Sequence, residues 1–319
     1  MARYSGHMCT RILWNDNPIA TTVARCMDWE VSDEPDLWFV PRGLTRGGQG
    51  SGALSWTSSY SSVVLSMWRL GTSDGLNEQG LAAHGLYLDP VDVGEWPVDG
   101  RPAVPNSLWV QYVLDTFATV AEAVAAVGDI RITAPELRGQ RLGVHLAIED
   151  ASGDSAIFEP QGDRIVVHHG REFSVMANSP VMDAQLANLA RYAPFGGTLT
   201  PPGDITSLDR FVRASYFRHY LPEPENLQQA VAGVSQLIQN VAVPYGAPYQ
   251  DGGVYPTWWE AGADLTNGTY YFVSTRSPSM FWVSLADLAD GTEVLRLDPR
   301  DETLVGASEA RFEPAALVY

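Results

Sequence analysis

Residues 263–273 read Ala263-Asp-Leu-Thr-Asn267-Gly268-Thr-Tyr-Tyr-Phe-Val273. Asn-Gly between two strand-forming runs is the strongest short hairpin signal, because both residues accept the positive φ of a tight type I′ turn. This stretch therefore predicts an antiparallel ladder near the C-terminal end. More strand text lies toward the N-terminus. Gly143–Glu149 (GVHLAIE), the turn Ala151-Ser-Gly-Asp154 and Ser155–Glu159 predict a second hairpin, which Arg164–His168 continues. Leu81–Leu88 (LAAHGLYL) follows the turn Asn77-Glu-Gln-Gly80, and Ser61–Trp68 (SSVVLSMW) has the composition of a buried strand. Ile19–Asp28 (IATTVARCMD) begins β-branched and ends in a polar cluster.

Helical patterns fill the middle. Leu108–Phe117 predicts one helix, and the capping-box pattern Thr119-Val-Ala-Glu122 opens another that runs to Val127. Arg210–Tyr220 predicts a third. Leu227, Val231, Val234, Ile238 and Val241 repeat at helical spacing until Pro244 stops them. The Pro/Gly-rich stretches 199–204 and 244–256 are expected to be surface loops. Strands early and late with helices between them predict an α+β protein of one domain, residues 9–319, built on antiparallel sheets.

Composition narrows the function. The net charge is −18, which argues against nucleic-acid partners, because phosphate backbones need clustered positive charge. All basic side chains apart from histidine are arginine, so an amine acting as a base would have to be a chain terminus. No apolar run approaches the roughly 18 residues of a membrane span. Met1–Met8 lacks the apolar stretch of a secretory signal. As written, the chain is expected in the cytoplasm, or in the periplasm or outside the cell if a signal precedes it. Two cysteines, Cys9 and Cys26, are too few for a disulfide framework.

Four groups of residues could carry chemistry. Cys9, followed by Thr10 and Arg11, lies close to the chain start; on position alone, a small buried hydrophobe is the favoured reading. Arg25 and Asp28 could form a surface ion pair, or Arg25 could lower a thiol pKa while Asp28 fixes an ammonium. In a strand the two do not share a face, although a turn at the strand's end could unite them, and Cys26 is expected to pack. Asn178, in Met176-Ala-Asn178-Ser-Pro180, is either turn chemistry or an amide donor to an oxyanion. Arg210 and Arg213 lie one turn apart on a helix, usually a solvated face. The six histidines form no ligand set, and the adjacent His168 and His169 would face opposite sides of a strand.

Order and spacing carry more than any one of these signals. Cys9-Thr10-Arg11, Ala24-Arg25-Cys-Met-Asp28-Trp29, Asn77-Glu-Gln-Gly-Leu81, Met176-Ala-Asn178-Ser-Pro180 and Asp209-Arg-Phe-Val-Arg213 together resemble the choloylglycine hydrolase family. That family holds bile salt hydrolases and penicillin V acylases among the N-terminal nucleophile hydrolases. Val110-Gln-Tyr-Val-Leu-Asp-Thr-Phe117, Gly153-Asp-Ser-Ala156 and Val243-Pro-Tyr-Gly246 look closest to the Gram-negative-type penicillin V acylases.

The resemblance implies a four-layer αββα sandwich and hydrolysis of a linear amide on a small molecule. It implies Cys9 as nucleophile with its own α-amine as base, Arg25 beside the thiol and Asp28 holding the amine. Asn178 and the backbone N–H of Tyr87 would form the oxyanion hole, with Arg210 supporting the network. Met1–Met8 would be a leader removed on maturation, or residues foreign to the natural chain. A homotetramer is implied, and no metal or organic cofactor. Bile salt hydrolases of this family typically place Asn where Tyr87 stands, so Tyr87 and Trp29 are expected to wall an acyl pocket, with Trp258-Trp259 nearby. Acyl homoserine lactones and conjugated bile salts are the rival substrates. A catalytically silent binding protein with the same fold is the rival outside enzymology.

Overall fold

The computed structural model describes residues 8–47, 52–94, 99–134, 136–137, 140–249, 252–288 and 290–319. The 263–273 hairpin forms where expected, as strands Thr257–Asp264 and Thr269–Ser274, with Gly268 at φ +69°. These strands belong to one of two large sheets. From edge to edge its order is Val175–Ala177, Met8–Trp14, Thr22–Asp28, Thr257–Asp264, Thr269–Ser274, Met280–Ser284 and Gly306–Ala307. Every neighbouring pair is antiparallel except the last. The second sheet runs Arg164–His169, Ser155–Gln161, Gly143–Glu149, Ala82–Leu88, Gly71–Asn77, Ser62–Met67, Asp36–Val40, Leu295–Leu297 and Glu313–Pro314, antiparallel throughout.

The period of two along the strands decides the layers. In Asp36–Val40, Leu37 and Phe39 join the apolar core between the sheets, whereas Trp38 and Val40 face outward toward Trp109 and Val113. Helix Trp109–Thr116 therefore covers the second sheet. Helices Ser207–His219 and Leu227–Val241 cover the first, through Phe211, Val234, Leu237 and Ile238. The result is an α/β/β/α sandwich.

Local signals set the helix starts. Thr119 caps Val120–Ala126, Thr206 caps Ser207–His219, and Asn226 caps Leu227–Val241, each side chain accepting a backbone N–H three residues on. The Glu122 carboxylate accepts from the N–H of Ala118, one residue before the usual capping-box partner.

Three expectations shift. Ile19 lies in a turn, because the Asn17 side chain bonds Trp14, Ile19 and Ala20 and delays the strand to Thr22. Trp68 belongs to the turn after Ser62–Met67, not to the strand. The loops around 205 and 243–255 also pack together through Ile205, Val243, Tyr249 and Tyr255. Residues 250–251 lie outside the described ones. Strand Asp36–Val40 was not anticipated.

Candidate active site

Cys9 sits in strand Met8–Trp14 with a neighbour on each side: Met27 is opposite it in Thr22–Asp28, and Val175–Ala177 pairs along the other edge. Its thiol faces the space between the sheets. There the Arg25 guanidinium reaches it at 3.1 Å, and the Met27 sulfur lies 3.6 Å away. Arg25 is fully buried and held on several sides. It donates to the carbonyls of Ser73 and Cys26, and its guanidinium lies 4.6 Å from the Trp259 ring centroid.

Asp28 and Arg25 stay on opposite faces, because the strand runs straight through Asp28 with no turn to unite them. What Asp28 offers the thiol is its backbone N–H. Its carboxylate points to the other face, where it accepts from Thr257 Oγ1 at 2.5 Å and lies 3.5 Å from Arg210. The Cys26 thiol is 3.6 Å from that carboxylate and is buried, in keeping with a packing role.

Arg210 is buried on the inward side of helix Ser207–His219. It donates to the carbonyls of Cys9 at 2.7 Å and Ile205 at 3.1 Å, to Thr10 Oγ1, and to Asn178 Oδ1 at 3.1 Å. Arg213, one turn away, is only partly buried and bonds the Asp204 carbonyl. The amide of Asn178 has a fixed orientation. Two donors, the Cys9 N–H and Arg210, demand oxygen on one side, and Nδ2 donates to the Tyr87 carbonyl at 2.7 Å on the other. Gln185 Nε2 and Ser207 Oγ hold the Asn178 carbonyl from below.

Charge at the thiol follows from depth. Burial pushes the Cys9 thiol up and Arg25 pulls it down; the Asp28 carboxylate adds to the rise, while Asp28's own N–H and Arg210 oppose it. Burial wins, so Arg25 acts as expected but does not alone make a thiolate. Burial likewise raises the Asp28 carboxyl despite Arg210 and Thr257.

The thiol opens into a cleft of about 1010 Å³ lined by Trp29, Trp68, Tyr87, Met67, Leu142 and others. Trp29 packs edge-to-face on both Trp68 and Tyr87, at 5.5 and 5.8 Å between ring centroids. Tyr87 and Trp29, which the resemblance put at an acyl pocket, both line this cleft. Trp258 and Trp259 lie nearby, as expected, behind the lining residues: Trp258 Nε1 donates to the Trp29 carbonyl, and Trp259 lies against Arg25. Trp68 was missed. It occupies a two-residue turn with φ +48°, followed by Arg69 at +55°, which bulky residues rarely adopt. Its N–H and Nε1 bond the carbonyls of Asp33 and Ser32, which hold it there.

Residues 9–295 match the family model of linear amide C-N hydrolases, choloylglycine hydrolase family. The chain belongs to the choloylglycine hydrolase family. Among relatives in that family, a penicillin V acylase of Pectobacterium atrosepticum is 36% identical, over 96% of this chain and 90% of its own. A bile salt hydrolase/transferase of Bifidobacterium longum is 25% identical, over 90% of this chain and 99% of its own. The solved penicillin V acylase from Agrobacterium tumefaciens superposes with a TM-score of 0.87 at 37% identity, covering 97% of this chain and 98% of that one. A conjugated bile acid hydrolase mutant from Clostridium perfringens gives 0.80 at 21% identity, over 93% and 98%, a likeness of fold. The sandwich is thus the N-terminal nucleophile hydrolase fold, and the chain is a linear amide hydrolase like its choloylglycine hydrolase relatives. No described helix is long and apolar enough to cross a membrane.

Proposed function

We propose that this chain is a cysteine-nucleophile amidohydrolase, penicillin V acylase-like, whose catalytic domain spans residues 9–319 and begins at Cys9 once Met1–Met8 is removed. The observation that carries this is the placement of Cys9: a buried thiol under Arg25, at the floor of an aromatic cleft, with its backbone nitrogen on Asn178.

With Met8 attached, the Cys9 nitrogen is an amide and cannot act as a base. Attack of the thiol on the Met8 carbonyl would shift the acyl group from nitrogen to sulfur, and water would then hydrolyse that thioester, releasing Met1–Met8 as a carboxylate and leaving Cys9 with a free thiol and α-amine. Such an amine titrates at about 7.7–8.0, suited to a base near neutrality. Asp28 pairs across the ladder with Met8, so its carboxyl would meet the new ammonium once Met8 has gone. The neutral amine takes the thiol proton, and the thiolate adds to the substrate carbonyl. The second Nδ2 hydrogen of Asn178 and the N–H of Tyr87 would receive the oxyanion. The ammonium then protonates the leaving amine, a thioester remains, and water attacks it with the amine again as base. Carboxylic acid leaves and the thiol is restored. Arg25 steadies the thiolate, and Arg210 holds Asn178 and the Cys9 carbonyl in register.

The walls Trp29, Trp68 and Tyr87 favour flat aromatic acyl groups such as phenoxyacetyl, with long-chain acyl homoserine lactones as second substrates. Tyr87 and Trp29 would leave little room for a rigid steroid nucleus. Conjugated bile salts are the alternative, and a silent binding protein the reading in which Cys9 is never exposed. Assembly as a homotetramer belongs to the same proposal. The test is kcat/KM for penicillin V, a long-chain acyl homoserine lactone and glycocholate, alongside intact mass. Penicillin V should lead, with the active protein beginning at Cys9, and Tyr87→Asn should move the ratio toward glycocholate. Glycocholate as the best wild-type substrate would overturn the aromatic-wall argument. Full activity from a chain that retains Met8 would overturn the α-amine base.

A further inference from the structure

On the side of Arg25 away from the Asp28 carboxylate, the space between the sheets holds a run of charge that hydrolysis as just described does not use. Arg25 Nη1 lies 3.8 Å from the Asp74 carboxylate of strand Gly71–Asn77. The same carboxylate meets His84 Nδ1 at 2.5 Å, and its other oxygen accepts from Tyr270 Oη at 2.5 Å. His84, on strand Ala82–Leu88, uses its Nε2 on Glu149 at 2.5 Å. Glu149 in turn pairs with Arg11, which also donates to the Phe173 carbonyl and Ser155 Oγ. Charges alternate from Arg25 to Arg11, and every one of these side chains is withdrawn from solvent.

The geometry fixes the protonation of His84. Its two ring nitrogens each face a carboxylate, and only an imidazolium donates from both. A neutral ring would turn a lone pair toward one carboxylate and leave two buried negative charges short of a partner. Burial alone would lower the His84 pKa, but Asp74 and Glu149 outweigh it and push it up to about 9. Tyr270 stays a neutral donor, because burial and the Asp74 charge both raise it.

Asp74 thus divides its charge between His84 and Arg25. With His84 charged, the carboxylate is held back on its own sheet and Arg25 keeps Nη2 on the thiol. With His84 neutral or absent, the full carboxylate charge falls on Arg25 and draws the guanidinium toward Asp74. We propose that His84 is a positioning residue for the Cys9 thiol: bridging Asp74 and Glu149, it sets how closely Arg25 attends the sulfur. This rests on Cys9 being the nucleophile. The charged and titratable groups facing the relay are Asp74 and Glu149 from its own sheet, and Arg11, Arg25 and Tyr270 from the facing one.

The test reads the thiol directly. Purified wild-type protein and His84→Gln are alkylated with iodoacetamide across pH 6–10, the site being assigned by peptide mass. In His84→Gln the apparent Cys9 pKa should rise by about one unit, lowering alkylation near neutrality about tenfold. Turnover should fall by a similar factor with KM little changed. Should His84→Gln fail to fold, Tyr270→Phe removes one Asp74 donor and should shift the profile the same way by less. A folded His84→Gln, or in its place Tyr270→Phe, that keeps the wild-type alkylation profile overturns the relay. Cys9→Ala is the separate control: if it still hydrolyses amide, the nucleophile assignment fails whatever His84 does.

Discussion

Replacing Arg210 with methionine keeps the apolar stem and removes every donor. The loss is worked from what remains behind. Asp28 is fully buried and its carboxylate lies 3.5 Å from the guanidinium, with Thr257 Oγ1 and the Cys26 thiol as its other partners. Breaking a buried pair by removing one member typically costs about 3–5 kcal/mol, because the other charge stays behind uncompensated. That is a large share of a total stability on the order of 5–15 kcal/mol. Arg210→Met should therefore lose about 3–5 kcal/mol in urea unfolding followed by tryptophan fluorescence. Adding Asp28→Asn removes the stranded charge, so the double variant should be more stable than the two single losses predict. A coupling of about 1–3 kcal/mol is expected. The sign with pH is also fixed. Burial already raises the Asp28 carboxyl, and without Arg210 it rises further. A carboxyl raised above its unfolded value favours the folded state in acid, so the loss should be smaller at pH 5 than at pH 8. A loss below about 1 kcal/mol, or strict additivity in the double variant, would refute the view that this pair is an interdependent buried unit.

Asn178→Ala removes the proposed oxyanion donor and the acceptor of the Cys9 N–H, so kcat should fall about 10²–10³-fold, far more than KM rises. A near-normal kcat would return Asn178 to turn chemistry. Glu159 makes a pH prediction at a distance from the thiol. Burial would raise its carboxyl, but hydrogen bonds from His145 and His168 and the N–H of Met182 outweigh it and lower the carboxyl to about 2. A depressed carboxyl stabilises the fold above its unfolded value near 4.5 and loses that stability as pH falls through about 2. Glu159→Gln should flatten the unfolding profile across that window; an unchanged acid slope would show that the carboxyl does not titrate there.

Much of the architecture was legible because period and turn chemistry act locally. Gly143–Glu149 forms with its expected bounds, and the Asn267-Gly268 turn and the Leu227–Val241 helix form where their patterns placed them. Strand Asp36–Val40 was missed because both its faces are buried, which erases the alternation that marks a strand. In the site, Cys9, Arg25, Tyr87, Asn178 and Trp29 were legible through family motifs and do gather. Asp28 shows the limit of pattern. The sequence left open whether a turn would unite it with Arg25; the strand runs straight, and its carboxylate lies on the opposite face with Thr257 and Arg210, partners far along the chain. Trp68 carried no signal, because a tryptophan at positive φ breaks the preferences from which turns are read.

The Arg11–Glu149 and Arg25–Asp74 pairs and the Tyr270–Asp74 bond each cross from one sheet to the other. Apolar faces attract without direction, so two sheets joined only by leucine and valine could slide past one another through many offsets of similar energy. A guanidinium seated on a carboxylate admits few offsets, which makes these contacts dowels between the layers. The Cys9 thiol and Trp29 are carried by one sheet, while Tyr87 and Trp68, which line the same cleft, are carried by the other. Exchanging the whole charged run for well-fitted apolar side chains could leave the fold as stable or more so. It would also free a shear motion of the sheets, and a slip of about one ångström there would shift the Cys9 thiol against Tyr87 and Trp68 without unfolding anything.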